Sequence, residues 1–276
     1  IMQLLPKLAK ISGGNIIYHS LKGDVELRNL PRNGKKMRSI RGKEIGMIFQ
    51  DPMTSLNPVY TIGYQMMEAL LYHENIRKGD AREKVINLLG EMGIPNPKSR
   101  INDYPHQFSG GMRQRVMIAM AMICNPSLLI ADEPTTALDV TIQAQIIEIM
   151  KQVQKEHGTS IMLITHNMGL IADMADDVAV MYMGKIVESG TIQDVLGNPQ
   201  HPYTRALLKS VPVLGIGKQR KLEPIRGSTP DPLNMPEGCE FSTRCDYVTN
   251  QCLTEPPVLN IDSGHLVKCW LCRGGA

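Results

Sequence analysis

The stretch from Phe108 to Glu133 constrains this chain more than any other. It opens FSGGMRQRV, continues with helical spacing and closes LLIADEP, ending at Pro134. Ser109, Gly110 and Gly111 form a short polar turn entering a helix, whose unpaired N–H groups and positive end can receive an anion such as phosphate. Val116, Ile118, Ala119, Met120 and Met122 give that helix its apolar side, and Asn125-Pro126 stops it. Leu128 to Ala131 is then an all-apolar run, the pattern of a strand buried on both faces of a parallel sheet. Asp132 and Glu133 follow at its carboxyl end, where open α/β sheets place their ligands. One carboxylate can hold a magnesium ion, directly or through water, and the next can polarise an attacking water. Taken singly, a Ser-Gly-Gly turn is usually only a loop, and Asp-Glu after a strand is often a helix cap. In this order and spacing the pair is far more specific.

The remaining chain supports the same layout. Apolar residues at Ile1, Leu4, Leu5 and Leu8 have helical spacing, without a cap, as though cut from a longer helix. Short strands are expected at 16–18 and 25–27, followed by a basic run from Arg28 to Lys43 that reads as a solvated surface hairpin. EIGMIFQ reads as a buried strand ending at Gln50, and a turn-rich loop follows through Pro58. From Thr61 to Met92 the pattern is helical, with Val85, Leu88, Leu89 and Met92 as one stripe. TTALD, ending at Asp139, leads into a helix at Val140, and SIMLIT is another buried strand with His166 at its carboxyl end. A hairpin through Gly184 closes the alternation of strand and helix, which argues for a mainly parallel sheet in an α/β domain. Past Gly190 come a short helix opened by HPYT, a Pro- and Gly-rich stretch from Gly215 to Gly238, and a cysteine-rich end.

SGGMRQ followed by LLIADEPTTALD resembles the signature motif, Walker B and D-loop of an ABC-type ATPase. IRGKEIGMIFQDPMTSLNPVYTIGYQ, HPYTRALL and the terminal C-E-F-x-x-R-C extend the likeness to the nucleotide-binding subunits of bacterial di- and oligopeptide importers. Nickel importers share much of this pattern. The resemblance implies a P-loop NTPase-like fold over residues 1–200, with a helical subdomain at about 55–125 and a C-terminal extension over 201–276. It also implies roles. Glu133 is the base for attacking water and His166 the switch histidine at the terminal phosphate. Gln50 and Asp132 hold magnesium or its water, and Ser109, Gly110, Gly111, Gln114 and Asp139 serve ATP. The implied partners are a transmembrane permease, a second related ATPase subunit and, indirectly, an external binding protein. The implied place is the cytoplasmic face of the cell membrane.

One departure has mechanistic weight. The family's P-loop, G-x-x-x-x-G-K followed by Ser or Thr, cradles the phosphates with backbone N–H groups and a lysine. The pairs Gly34-Lys35, Gly42-Lys43, Gly184-Lys185 and Gly217-Lys218 are followed by Lys36, Glu44, Ile186 and Gln219, and none has the earlier glycine. The sequence therefore resembles a family member lacking its N-terminal strands and P-loop. It can serve a partner's nucleotide through Ser109 to Gly111 but has little to grip its own. A catalytically silent fragment is thus a second reading. A third, a soluble ABC ATPase acting on DNA or ribosomes, is opposed by a net charge of only +3.

Five of the six cysteines, Cys239, Cys245, Cys252, Cys269 and Cys272, fall in the last forty residues. With no export signal at Ile1 and no apolar run of membrane-spanning length, such clustering points to metal before disulfides. Zinc favours close C-x-x-C pairs. Here five, six and sixteen residues separate Cys239, Cys245, Cys252 and Cys269. Those gaps fit an iron–sulfur cluster at least as well, and some peptide-importer ATPases resembling this chain carry one in this tail. Cys272 is a spare that could replace Cys269. The tail is expected to be irregular, with too few apolar residues to order itself by burial.

Overall fold

Three parallel strands, in the order β3-β4-β5, form the platform of the first compact unit, Ile1–His166. The computed structural model describes all residues except 7, 21–22, 52–54, 137, 211–222, 263 and 273–276. Part of the loop before Pro58, one residue of TTALD and much of the stretch from Gly215 lie outside the described residues. In chain order the unit contains β1 (Ile17–Ser20), β2 (Gly23–Glu26), α1 (Lys35–Ile40) and β3 (Ile45–Ile48). Next come α2 (Ile62–His73), α3 (Lys78–Glu91), α4 (Pro97–Arg100), α5 (Gly110–Met122), β4 (Leu128–Asp132), α6 (Val140–His157) and β5 (Ser160–Ile164).

The capping chemistry explains where the long helices begin. Thr61, Ser109 and Asp139 each accept a backbone N–H from the first turn of α2, α5 and α6, at 3.3, 3.3 and 2.9 Å. Of the expected apolar stripes, Val85 and Leu89 of α3 and Val116, Ile118 and Met122 of α5 turn inward and are buried, and Ile62, Met66 and Leu70 of α2 join them. These three helices pack on one another. β3 and β4 pair from Ile45↔Leu128 to Ile48↔Ala131, and β4 and β5 from Leu128↔Ser160 to Asp132↔Ile164. That register brings all three carboxyl ends to one edge of the sheet.

Three local expectations are corrected here. Residues 1–8 form no helix among the described ones, and Leu8 is 94% exposed. So short an uncapped segment cannot repay helix nucleation by itself. The basic run is not a hairpin: it contains α1, which buries Met37 and Ile40 against Val25, Leu27, Ile45 and Ile130 and turns its lysines outward. β5 is not buried on both faces; it ends the sheet, with Met162 and Ile164 over 40% exposed.

The second compact unit, Asn167–Ala276, holds α7 (Met168–Met174), β6 (Asp177–Tyr182), β7 (Lys185–Thr191), α8 (Pro202–Ser210), β8 (Val258–Asp262) and β9 (His265–Lys268). Its sheet is antiparallel in the order β6-β7-β9-β8. The tail is therefore not irregular: β9 pairs with β7, and Phe241, Cys252 and Val267 are buried. By its internal contacts the compact unit starts at Asn167; the resemblance implies an extension over 201–276. Among the described residues no helix is long and apolar enough to cross a membrane.

Candidate active site

β4 delivers Asp132 at its last position and Glu133 directly after it. Glu133 leaves the strand with φ 48°, the left-handed region, which costs a non-glycine residue on the order of 1–3 kcal/mol and tends to mark functional turns. Its N–H donates to the Ile164 carbonyl of β5 at 2.9 Å, and its own carbonyl accepts the Thr136 N–H at 3.2 Å. The side chain is held as firmly. Oε1 lies 2.6 Å from His166 Nδ1, and Oε2 accepts the Thr136 hydroxyl at 2.5 Å. The Thr136 hydrogen bond first, and the His166 contact second, keep the Glu133 carboxyl below the usual carboxylate range. An ionised carboxylate only accepts, so Nδ1 carries the proton in the pair and Nε2 is the ring's remaining polar atom. The His166 side chain is 79% exposed.

The carboxylate can therefore take a proton from a water placed beside it, and the imidazole can donate to or accept from a second group. Gln50, exposed, stands two residues beyond β3 at the same sheet edge. Glu133 and His166 meet directly, Asp132 precedes Glu133 on β4, and Gln50 follows the carboxyl end of the neighbouring strand β3. Ser109 and Gly110 are exposed at the start of α5, with the Ser109 hydroxyl accepting the Met112 N–H as a cap. Asp139 is exposed and caps α6. Gln114 is elsewhere engaged: it is 2% exposed, and its amide donates to the Pro134 carbonyl, tying α5 to the turn after Glu133. Thr136 is the residue the sequence pattern leaves unmarked. A hydroxyl three positions after the carboxylate is its only sequence signal, and it becomes meaningful once the turn is left-handed at Glu133.

In the second unit Cys239, Cys245, Cys252 and Cys269 line one small pocket together with His201, Phe241 and Trp270. Backbone N–H groups of Tyr247 and Leu271 donate to Cys245 and Cys269 Sγ, each at 3.4 Å. Burial pushes the Cys239 thiol up and the Cys245 thiol to about 11, whereas a hydrogen bond with Cys272 brings Cys269 down to about 6. Among the described residues no three His, Cys, Asp or Glu side chains stand close enough to hold a single metal ion.

Residues 7–136 match the family described as ABC transporter, and residues 187–252 match the family described as Oligopeptide/dipeptide transporter, C-terminal region. The dipeptide transport ATP-binding protein DppD of Bacillus subtilis (strain 168) is 51% identical over 274 residues, covering 98% of this chain and 79% of that protein. The oligopeptide transport ATP-binding protein OppD of the same organism is 53% identical over 243 residues, 88% of this chain and 68% of that protein. A solved dimeric ATP-binding cassette in a post-hydrolysis state, bound to ADP and Pi, is similar with a TM-score of 0.58 at 24% identity, covering 67% of this chain and 76% of that one. Likeness at that identity speaks to the fold alone.

Proposed function

The chain belongs to the ABC transporter ATPase family, and on that premise we propose that it drives import of dipeptides or oligopeptides through a membrane permease by hydrolysing ATP. The observation that carries the reading is the Glu133–His166 pair at the end of β4, in a chain whose C-terminal region matches the peptide-transporter type. Relatives at about half identity are named for peptide transport, which favours peptides over nickel.

In this reading Glu133 takes the proton of the attacking water, and His166, oriented by Glu133, reaches the terminal phosphate through Nε2. Gln50 and Asp132 would hold a magnesium ion, which would supply neutralising charge for the phosphates. Ser109, Gly110 and Gly111 offer their helix start to nucleotide held by a companion subunit. Gln114 and Asp139 act as struts of these turns. The 276 residues contain no G-x-x-x-x-G-K-[ST] loop, so turnover is expected only from a form that carries one.

The protein then sits on the cytoplasmic face of the membrane, against the permease. A cleft of about 310 Å³ lined by Met47, Phe49, Leu56, Met117 and Met120 supports docking there, beside the exposed Val59, Tyr60 and Tyr64. A related ATPase subunit completes the pair, and an external binding protein delivers peptide. Reconstitution with permease and companion ATPase in proteoliposomes tests the function: ATP-dependent peptide uptake is expected. Uptake of nickel but not peptides would overturn it.

We infer further that Cys239, Cys245, Cys252 and Cys269 hold an iron–sulfur cluster of structural role: the four thiols line one pocket, and their wide spacing in sequence suits a polynuclear centre. The Tyr247 and Leu271 N–H groups would hydrogen-bond its sulfurs. Anaerobic purification should give a brown protein with stoichiometric iron, and Cys252→Ser should lose it. A colourless protein with zinc would sink the cluster, and one with no metal would sink the site.

A further inference from the structure

Both oxygens of the Glu133 carboxylate are already occupied by protein donors from two elements later in the chain, Thr136 three residues on and His166 thirty-three residues on. A carboxylate offers about four lone-pair positions. Two donors fix its plane and still leave a lone pair on each oxygen for water. We propose that Thr136 is a positioning residue for ATP hydrolysis, its hydroxyl fixing the Glu133 carboxylate in the orientation that meets the attacking water. This rests on the reading of Glu133 as the base.

The turn that carries Thr136 does not depend on that hydroxyl. The Thr136 N–H closes the turn onto the Glu133 carbonyl at 3.2 Å. The Gln114 amide donates to the Pro134 carbonyl, and the Gln143 amide to the Thr135 and Leu138 carbonyls at 3.3 and 3.0 Å. The backbone is therefore held from α5 on one side and α6 on the other. Among the described residues the Thr136 hydroxyl meets the carboxylate alone. Without it, Glu133 keeps His166 alone, and His166 is itself mostly exposed. The carboxylate plane can then rotate about its last bond, and misplacing a reacting group by about 1 Å costs up to roughly 100-fold in rate.

The test uses a form of the chain that carries the phosphate-binding loop, assembled with permease and companion ATPase, with Thr136→Val, Thr136→Ser and Glu133→Gln measured side by side. Valine keeps the branched shape and removes the donor. We expect Thr136→Val to lower kcat by roughly 10- to 100-fold with KM for ATP and melting temperature unchanged, and Thr136→Ser to restore most of the rate. Parental kcat in Thr136→Val, with Glu133→Gln inactive, overturns the proposal. So does a loss of kcat that comes with altered KM or lowered melting temperature, or that serine does not rescue, because either marks a structural role. Parental turnover by Glu133→Gln would instead overturn the reading of Glu133 on which the proposal stands.

Discussion

In a form of the chain that carries the phosphate-binding loop, Glu133→Gln is expected to leave ATP binding intact and to lower turnover by about 10²–10⁴-fold, the usual contribution of a positioned general base. The amide has nearly the same shape and can still meet the Thr136 hydroxyl through its oxygen, so the left-handed turn at Glu133 need not move. It cannot accept a proton from water. Its –NH2 would also face the Nδ1–H of His166 at the 2.6 Å now spanned by Nδ1 and Oε1, which disturbs the imidazole as well. Single-turnover assays and nucleotide binding on the assembled transporter separate the two steps. Tight binding with parental hydrolysis would remove Glu133 from the chemistry and leave it as a structural pin between β4 and β5. Weakened binding would mean that the carboxylate mainly holds magnesium, the part given above to Asp132.

This site is legible in the sequence because it stands at the ends of short apolar strands. Ile45–Ile48 and Leu128–Asp132 are apolar runs that end in polar groups, and parallel pairing puts those ends at one sheet edge. Local pattern and tertiary role agree there. They part where the partner lies far off in sequence. Glu188 reads as a surface residue of a hairpin, yet it is fully buried, accepting N–H groups from Gln200 and His201 at 2.6 and 3.0 Å and facing His265 Nε2 at 2.8 Å. His265 is on β9, which β7 recruits across more than seventy residues. No window of sequence carries that pairing, so the tail looked irregular. Met37 and Ile40 show a milder failure: two apolar residues three apart suffice for a helical face, but the surrounding lysines and arginines hide them. Thr136 fails for a third reason, because its contact exists only after Glu133 takes a backbone conformation that its own residue type disfavours.

Gly238→Ala is expected to break the cysteine pocket without touching a cysteine. Gly238 has φ +77°, where an alanine is strained by about 1–2 kcal/mol. A Cβ there would also stand 2.4 Å from the Cys252 carbonyl oxygen, 2.5 Å from the Leu253 carbonyl carbon and 2.7 Å from the Thr254 nitrogen. All three are backbone atoms and cannot swing aside as a side chain would, and forced overpacking adds about 1–3 kcal/mol. The Cys239 N–H donates to that same Cys252 carbonyl at 2.9 Å, so relief of the clash separates the two segments that carry Cys239 and Cys252. A loss of roughly 2–5 kcal/mol is expected for the second unit, together with loss of bound metal and fast thiol labelling of Cys252 and Cys269, which are buried in the parent. Gly79→Ala is the matched control, an exposed helical glycine with open space around its would-be Cβ, and it should be neutral or slightly stabilising. Parental melting and slow thiol labelling in Gly238→Ala would show that the two cysteine-bearing segments are not held together by this close approach.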